Sequence, residues 1–519
     1  MRGGQPVFIL SEDTERTQGR DARTSNIAAG KAVAEAVRTT LGPRGMDKML
    51  VSDSGDVVIT NDGATILNEM DIEHPAAQML VEVADSQEEE VGDGTTSAVV
   101  LAGALLREAE DFIDKDIHPT TIVGGYARAR DIALETLDDM VIEGELDDET
   151  LEQVAQSAMT GKGTGGVTAE TLATDIVRAV RRVETDGEIE EENLQIVARA
   201  GESSTSTRLV EGVIVEEGPI RDDMPWSLSD ATVAIVDMDL EPRETEVDVE
   251  YNVQSADQLD TAIDAEQKEL RGYADALEEA GVDVAFVTGD VSDMTAGFLA
   301  NKGILAFDDI DDDDAASLGR ATGASRLATL EEIEEADLGE IESLSIDKVG
   351  EDELTFVEGG SDASSLTLFV RAGTEHVLSE LERAVQDGVD AVVTAVEKGG
   401  VVPGAACAEV TIADAIRSEA AGIEGREQLA VEAFADAIDS IPRTIAENTG
   451  MSPIDALVDV RAANESGRAG IVTVDGEAEI DDPVEHGVLD PVAVKREIVQ
   501  SATEAATMIV RIDDVISAE

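Results

Sequence analysis

Cysteine, lysine and aromatic side chains are scarce in this chain of 519 residues. The single cysteine, Cys407, excludes an intrachain disulfide and points to a reducing, cytoplasmic compartment. Phe, Trp and Tyr make up 2% of the residues, so any core must be built from Val, Ile, Leu and Ala. The four histidines (His74, His118, His376 and His486) share no metal-ligand spacing. No apolar run approaches the roughly 18 residues that a membrane-spanning helix needs. The opening Met-Arg-Gly-Gly-Gln-Pro has no apolar stretch of the kind that directs secretion. A G-x-x-x-x-G-K-[ST] motif is absent, which excludes a P-loop nucleotidase.

What is abundant is acid. Asp and Glu number 115 against 37 Lys and Arg, a net charge of −78, and only nine of those bases are Lys. Charge of one sign on this scale pushes a compact fold apart in dilute buffer. Near 1 M salt the screening length falls to about 3 Å and the repulsion fades. Acid spread along the whole chain therefore points to a salt-rich cytoplasm. Nucleic acid is excluded as a partner, since that binding depends on Lys and Arg neutralising phosphates. An acidic mimic of nucleic acid would concentrate its carboxylates in one block, and the sequence does not. At 42% hydrophobic residues the chain can bury a sizeable core, and its length suggests about three domains.

Periodicity organises the rest. Ile27, Ala28, Val33, Ala34 and Val37 recur at helical spacing in a helix over 19–40, which stops at Thr40-Leu41-Gly42-Pro43-Arg44-Gly45. Val57-Val58-Ile59-Thr60 reads as a strand and Asn61-Asp62-Gly63 as a tight turn before another helix. Helices are expected at 78–90, at 97–111, after His118-Pro119 and at about 148–159, with one short strand region in the first 145 residues. Gly161-Lys162-Gly163-Thr164-Gly165-Gly166 formally contains G-x-G-x-x-G. It follows a helix, where a dinucleotide fold requires a strand, and reads as a flexible loop.

The character changes near residue 210. Val213–Val215, Thr232–Val236, Val282–Val287 and Ile304–Phe307 are short buried-strand runs, the later ones alternating with helices, as in an α/β module. Inside it a long helix sets Leu259, Ile263, Leu270, Ala274 and Leu277 on one face. The alternating segment Glu244–Asn252 before it is either an edge strand or an exposed apolar contact surface. Two strands and a helix run to about residue 400, and the remainder returns to helix. The fold class is mixed α and α/β, with helical N- and C-terminal segments sharing one domain around an inserted α/β block.

The stretch that carries chemistry is Val91-Gly92-Asp93-Gly94-Thr95-Thr96-Ser97, followed by an apolar run from Ala98 to Leu106. Thr and Ser fit a helix N-cap. The first N–H groups of a helix and its dipole attract an anion, most naturally a phosphate. Gly92 and Gly94 let the backbone come close to it. Asp93 would repel phosphate directly, but suits a Mg²⁺ ion held between a carboxylate and phosphate oxygens. An ordinary loop and capped helix would use the same residues.

Thr39-Thr40-Leu41-Gly42-Pro43-Arg44-Gly45-Met46-Asp47-Lys48-Met49-Leu50, then Val57–Leu67, then Gly92–Ser97, resemble the group II chaperonins, the thermosome type of archaea. Ile441–Asn448 and Ser501–Ile516 resemble the C-terminal half of the same family, so the resemblance runs from Gln5 to Ile516. It implies the chaperonin fold, with a mostly helical equatorial ATP-binding domain (1–144 and 402–519), a hinge-like intermediate domain (145–213 and 363–401) and an inserted α/β apical domain (214–362). The apical domain would bind substrate and carry a helical lid protrusion at about 244–280. The implied function is ATP-dependent protein folding in a double ring whose built-in lid encloses unfolded or partly folded client proteins. Partners would be the other chaperonin subunits and the clients; cofactors would be ATP and Mg²⁺, with K⁺ an optional addition.

The resemblance also assigns roles. Asp93 would hold Mg²⁺, and Gly94, Thr95, Thr96 and Ser97 would cradle the phosphates. Leu41, Gly42, Pro43 and Gly63 would close around the nucleotide. Thr160, Gly161 and Lys162 would sense the γ-phosphate, and Gly404 and Asp490 would lie near adenine and ribose. Asp62 and Asp387 would position the attacking water, Asp387 swinging in from the intermediate domain. There are departures from the family pattern. Ala405 and Ala406 follow Gly404 where three glycines are usual, which narrows the expected pocket. Gln386 stands where His is common, and Gly388, where Ala is common, weakens a helix by up to about 1 kcal/mol. Intact Asp62, Asp93 and Asp387 favour an ATPase. Ala405 and Ala406 favour the alternative, a structural or holdase subunit of a mixed ring with little ATPase activity of its own.

Overall fold

The computed structural model describes residues 15–517 apart from 53, 56, 145, 164–165, 186, 243–255, 351, 360–364 and 475. The chain divides into two compact units. One comprises Met1–Thr164, Thr168–Val177 and Arg383–Glu519; the other comprises Gly165–Val167 and Arg178–Glu382.

The first unit is a helical assembly around the Thr95–Asp114 helix. Every residue of that helix from Thr95 to Leu106 is buried. A helix apolar on all sides must be surrounded, and Arg20–Val37, Pro75–Val91, Arg426–Ile438 and Val492–Arg511 pack against it. Both ends of the chain thus contribute to one core. Glycine sets the closest crossing: a Cβ on Gly103 would lie 2.2 Å from Ala34 Cβ. Tyr126 is a rare aromatic in this core. Its ring meets Phe434 edge-on at 5.6 Å, and its hydroxyl donates to the Leu105 carbonyl at 2.8 Å. Truncating a fully buried side chain here, such as Leu105 to Ala, removes about 2–5 kcal/mol of stability.

This unit contains more strand than expected. Lys48–Val51 pairs with Val57–Thr60, and Gly470–Val474 with Glu477–Asp481. Val401–Pro403 pairs with Leu489–Pro491, and Glu15–Gln18 with Asp514–Ser517, all antiparallel. The expected helices are present as Arg20–Val37, Gly63–Asn68, Pro75–Val91, Thr95–Asp114, Pro119–Met140 and Asp148–Ala158. The first ends at Val37 and tightens into a 3₁₀ turn over Arg38–Thr40.

The second unit is built on a mixed sheet. Its strand order is Leu305–Phe307, Val284–Val287, Ser227–Val236, Gly339–Val349, Asp352–Gly359 and Gly212–Val215, with Arg326–Leu327 beside Ser227–Val236. The first three and Arg326–Leu327 run parallel, and the other three pair antiparallel. Val284–Val287 and Leu305–Phe307 are wholly buried, which explains their unbroken apolar runs. Phe286 and Phe307 stack at 4.8 Å between them. A smaller sheet sets Leu366–Ala372 parallel to Leu194–Ala200 and antiparallel to Arg208–Val210.

Two expectations change here. Three strands, not two, lie between 339 and 372, because the Gly339–Val349 and Asp352–Gly359 strands form a hairpin. On the Ala256–Ala280 helix, Leu270, Ala274 and Leu277 are buried as expected, but Ile263 is 42% exposed, so the apolar face is not covered at that residue. The expected segment Glu244–Asn252 lies outside the described residues.

Candidate active site

The Pro75–Val91 helix ends on Gly92 in the left-handed conformation, and Gly94, also left-handed, begins the Thr95–Asp114 helix. Gly94 therefore occupies the N-cap position, and no side chain caps this helix. This corrects the expected Thr or Ser cap: the turn between the two helices needs positive φ, which glycine takes without penalty. The first N–H groups of the helix are left without a side-chain acceptor. Asp93 is fixed from both sides. Gln87 Nε2 donates to its carbonyl at 2.8 Å, and the Gly94 N–H donates to its Oδ1 at 2.6 Å.

A cavity of about 370 Å³ opens at this helix end. Of the expected residues, Leu41, Gly42, Pro43, Asp62, Asp93, Gly94, Thr95, Thr96, Ser97, Thr160, Lys162 and Asp490 line it. Asp62 serves twice. Its Oδ2 accepts from the Thr65 N–H at 2.7 Å, capping the Gly63–Asn68 helix, and its Oδ1 lies 3.4 Å from Thr95 Oγ1. Gly63, Gly161, Gly404 and Asp387 stand outside the lining. Gly63 backs the motif, since a Cβ there would lie 2.5 Å from Thr96 Oγ1. The Gly161 carbonyl accepts from Asn61 Nδ2 at 2.8 Å, and a Cβ on Gly404 would lie 3.0 Å from Asp490 Oδ2. Asp387 is buried and forms an ion pair with Lys162.

Burial holds the Asp93 carboxyl above the usual carboxylate range; Asp490 adds to this, while Lys162, the Gly94 N–H and Lys495 oppose it. A divalent cation would reverse that shift, and the hard carboxylate oxygens of Asp93 and Asp62 are the donor type Mg²⁺ takes. Glu88 nearby is pushed up to about 7, by desolvation first and then by Asp62, Asp390 and Asp93, with Lys162 opposing.

The sequence profile of the TCP-1/cpn60 chaperonin family matches residues 33–519. The chain belongs to this family. It is 62% identical over 518 residues to thermosome subunit 3 of Haloferax volcanii, with 99% of each chain covered. It is 49% identical over 519 residues to thermosome subunit alpha of Halobacterium salinarum, covering 99% of this chain and 92% of that one. It is 48% identical over 522 residues to the thermosome subunit of Methanopyrus kandleri, covering 99% and 95%. The protein is a group II chaperonin of the halophilic archaeal type, with the mixed α and α/β chaperonin fold. No helix among the described residues is long and apolar enough to cross a membrane.

Several residues of the chaperonin's cavity escaped sequence reasoning. Lys495 bridges Glu409 and Asp490, each at 2.8 Å. Burial works to lower the Lys495 pKa, but the two carboxylates outweigh it and hold the ammonium strongly charged. A lone Lys and a lone Glu on two helices carry no sequence signal for such a bridge. Asn448 Nδ2 donates to the Leu41 carbonyl at 2.8 Å and fixes the Leu41–Pro43 loop. At the rim His486 pairs with Asp481 at 2.9 Å, close to Glu479, a grouping that histidine spacing did not flag.

The departures from the family pattern acquire physical meaning. Ala405 and Ala406 both line the cavity and both have positive φ, 53° and 64°. That conformation suits glycine and costs other residues roughly 1–2 kcal/mol each. Gly388, expected to weaken its helix, sits closely packed: a Cβ there would lie 2.8 Å from Ile176 Cδ1, so the end of that side chain would have to shift. Gln386 donates from Nε2 to Asp390 Oδ1 at 2.8 Å.

Proposed function

We propose that this chaperonin subunit binds and hydrolyses ATP at the start of the Thr95–Asp114 helix, and couples hydrolysis to folding of client proteins in a double ring. One observation carries the reading: Asp62, Asp93 and Lys162 line one cavity at an uncapped helix N-terminus, and Lys162 brings Asp387 to it. Phosphoryl transfer asks for little covalent chemistry; it needs an in-line water and charge neutralisation around the phosphates.

The Gly94–Ser97 backbone and the hydroxyls of Thr95, Thr96 and Ser97 hold the phosphates, and the Leu41–Pro43 loop with Gly63 shields them. Asp93 would hold Mg²⁺, which when bound neutralises phosphate charge; K⁺ is an optional second cation. Gly404 and Asp490 flank adenine and ribose. Thr160, Gly161 and Lys162 sense the γ-phosphate. When the Lys162 ammonium turns toward that phosphate it releases Asp387, which together with Asp62 orients the attacking water and accepts its proton.

The three-domain division is part of the same proposal: equatorial 1–144 and 402–519, intermediate 145–213 and 363–401, apical 214–362. Of the lid protrusion at 244–280, the helix from Ala256 belongs to the described residues. Assembly with other subunits is supported by an apolar surface on the Lys48–Val51 and Val57–Thr60 hairpin, where Met46, Met49, Val51, Val57 and Ile59 are exposed.

ATP hydrolysis by the purified assembly in concentrated KCl, wild type beside Asp387→Ala, tests the reading. Mg²⁺-dependent turnover should fall by about 100-fold in the variant while assembly persists. Absence of turnover in the assembled wild type would overturn it. The left-handed Ala405 and Ala406 would then favour the second reading, a structural or holdase subunit in a mixed ring with little ATPase of its own.

A further inference from the structure

We propose that the second unit contains a binding site for a small phosphate-bearing oxyanion. A cavity of about 580 Å³ lies within that unit, lined by Arg208, Lys348 and Arg371 and by the hydroxyl residues Thr205, Ser206 and Thr207. Its floor is an aromatic pair, Phe356 and Phe369, meeting edge-on at 5.4 Å. The Arg208 guanidinium lies over the Phe356 ring at 5.4 Å, and the Arg371 guanidinium over the Phe369 ring at 5.1 Å. Ring contacts of this kind hold a cation in place without neutralising it.

Neither guanidinium has a close counter-ion. The Arg371 side chain is only 5% exposed, and its nearest carboxylate, Glu202, stands 4.0 Å away. Its Nε donates to the Arg199 carbonyl at 3.0 Å, and its backbone N–H donates to Thr207 Oγ1 at 3.0 Å. That anchoring leaves the terminal nitrogens of the fork without a hydrogen bond among the described residues. Arg208 has no ion pair among the described residues. Lys348 lies 3.4 Å from Glu353, outside the cavity lining.

This is the reverse of what the composition predicts. With 115 acids for 37 bases, almost any surface arginine can find a carboxylate. Arg371 is buried with its one carboxylate 4.0 Å away, and Arg208 is exposed and unpaired among the described residues, so an anion entering the cavity can engage both guanidinium groups. Two planar guanidinium forks and an ammonium match the tetrahedral, multiply charged oxygens of a phosphate group, while the Thr205 and Thr207 hydroxyls donate to Ser203 Oγ and the Arg371 carbonyl. Glu202 and Asp347 also line the cavity, and their charges exclude an extended polyanion. The ligand is therefore small.

Equilibrium dialysis of labelled inorganic phosphate against the whole chaperonin tests this, in potassium acetate so that chloride does not compete. Four proteins are compared: wild type, Arg208→Gln, Lys348→Gln and, as the control for the ATP cavity, Lys162→Gln. Wild type and Lys162→Gln should share a saturable phosphate site that Arg208→Gln weakens by about tenfold or more. Lys348→Gln, at a largely exposed position, should weaken the same site less, and ATP binding should be unchanged in both. Emission from Trp226, the only tryptophan, reports whether each variant is folded. Should Arg208→Gln fail to fold, Lys348→Gln and Arg208→Lys decide, since Arg208→Lys keeps the charge but loses the fork. Phosphate binding equal to wild type in the folded variants would overturn the proposal, as would loss of all saturable phosphate in Lys162→Gln.

Discussion

Lys162 and Asp387 form an ion pair that leaves their side chains only 16% and 11% exposed. Removing one member of so enclosed a pair strands the other. In Lys162→Gln, ATP hydrolysis should therefore fall, and in Asp387→Asn it should fall by about 100-fold. Steady-state rates for both variants beside wild type give the comparison; wild-type turnover in Asp387→Asn would remove Asp387 from the mechanism.

The strained Ala405–Ala406 pair makes a second prediction. Replacing both with glycine relieves roughly 1–2 kcal/mol per residue of left-handed strain. The looser unfolded chain takes back about 0.5–1 kcal/mol per residue. The net expectation is a modest rise in stability, read as a higher thermal midpoint. The glycines also widen the cavity, so nucleotide should bind at least as tightly. A lower midpoint would show that the two methyl groups pack productively.

Asp314 makes a third prediction. It is pushed up to about 6, by burial first and then by Asp311, Asp313 and Glu217, with Gln195 opposing. A carboxyl whose folded pKa lies above its unfolded value binds its proton more tightly when folded. Its stabilising contribution is full below the unfolded pKa, near 3.8, and is lost as pH rises through about 6. Asp314→Asn should therefore stabilise the protein at pH 7 and lose that advantage near pH 4, as measured by urea unfolding at the two pH values. An advantage that persists at the lower pH would mean the effect is not electrostatic.

Assembly supplies the fourth prediction. Met49 is 66% exposed on its hairpin, and Met49→Glu adds another negative charge to a chain already at −78. The variant should fold as wild type by circular dichroism, yet sediment as smaller species. Full-size assemblies would move the contact surface elsewhere.

Some of this was readable in the sequence. The Thr95–Asp114 helix shows itself because an apolar run follows two glycines, and its environment follows from having no polar face. The acids of the cavity were readable through motif resemblance; alone, Asp387 is one more carboxylate on an acidic helix. Strands of three to five residues, such as Val401–Pro403 and Leu489–Pro491, left no periodic trace, because their partners lie far away in sequence. The Lys495 bridge was silent for a related reason. Burial made it, and a single lysine does not announce its burial.

The pairing of Glu15–Gln18 with Asp514–Ser517 has a consequence for synthesis on the ribosome. The Thr95–Asp114 helix emerges long before its partner Val492–Arg511 is translated. At typical rates the interval is roughly 20–80 s. Meanwhile residues 178–382 form an almost uninterrupted unit that can complete itself first. The nascent chain must therefore wait with the face of the Thr95–Asp114 helix that meets Val492–Arg511 uncovered, so this protein is itself exposed to aggregation until the Val492–Arg511 helix leaves the exit tunnel.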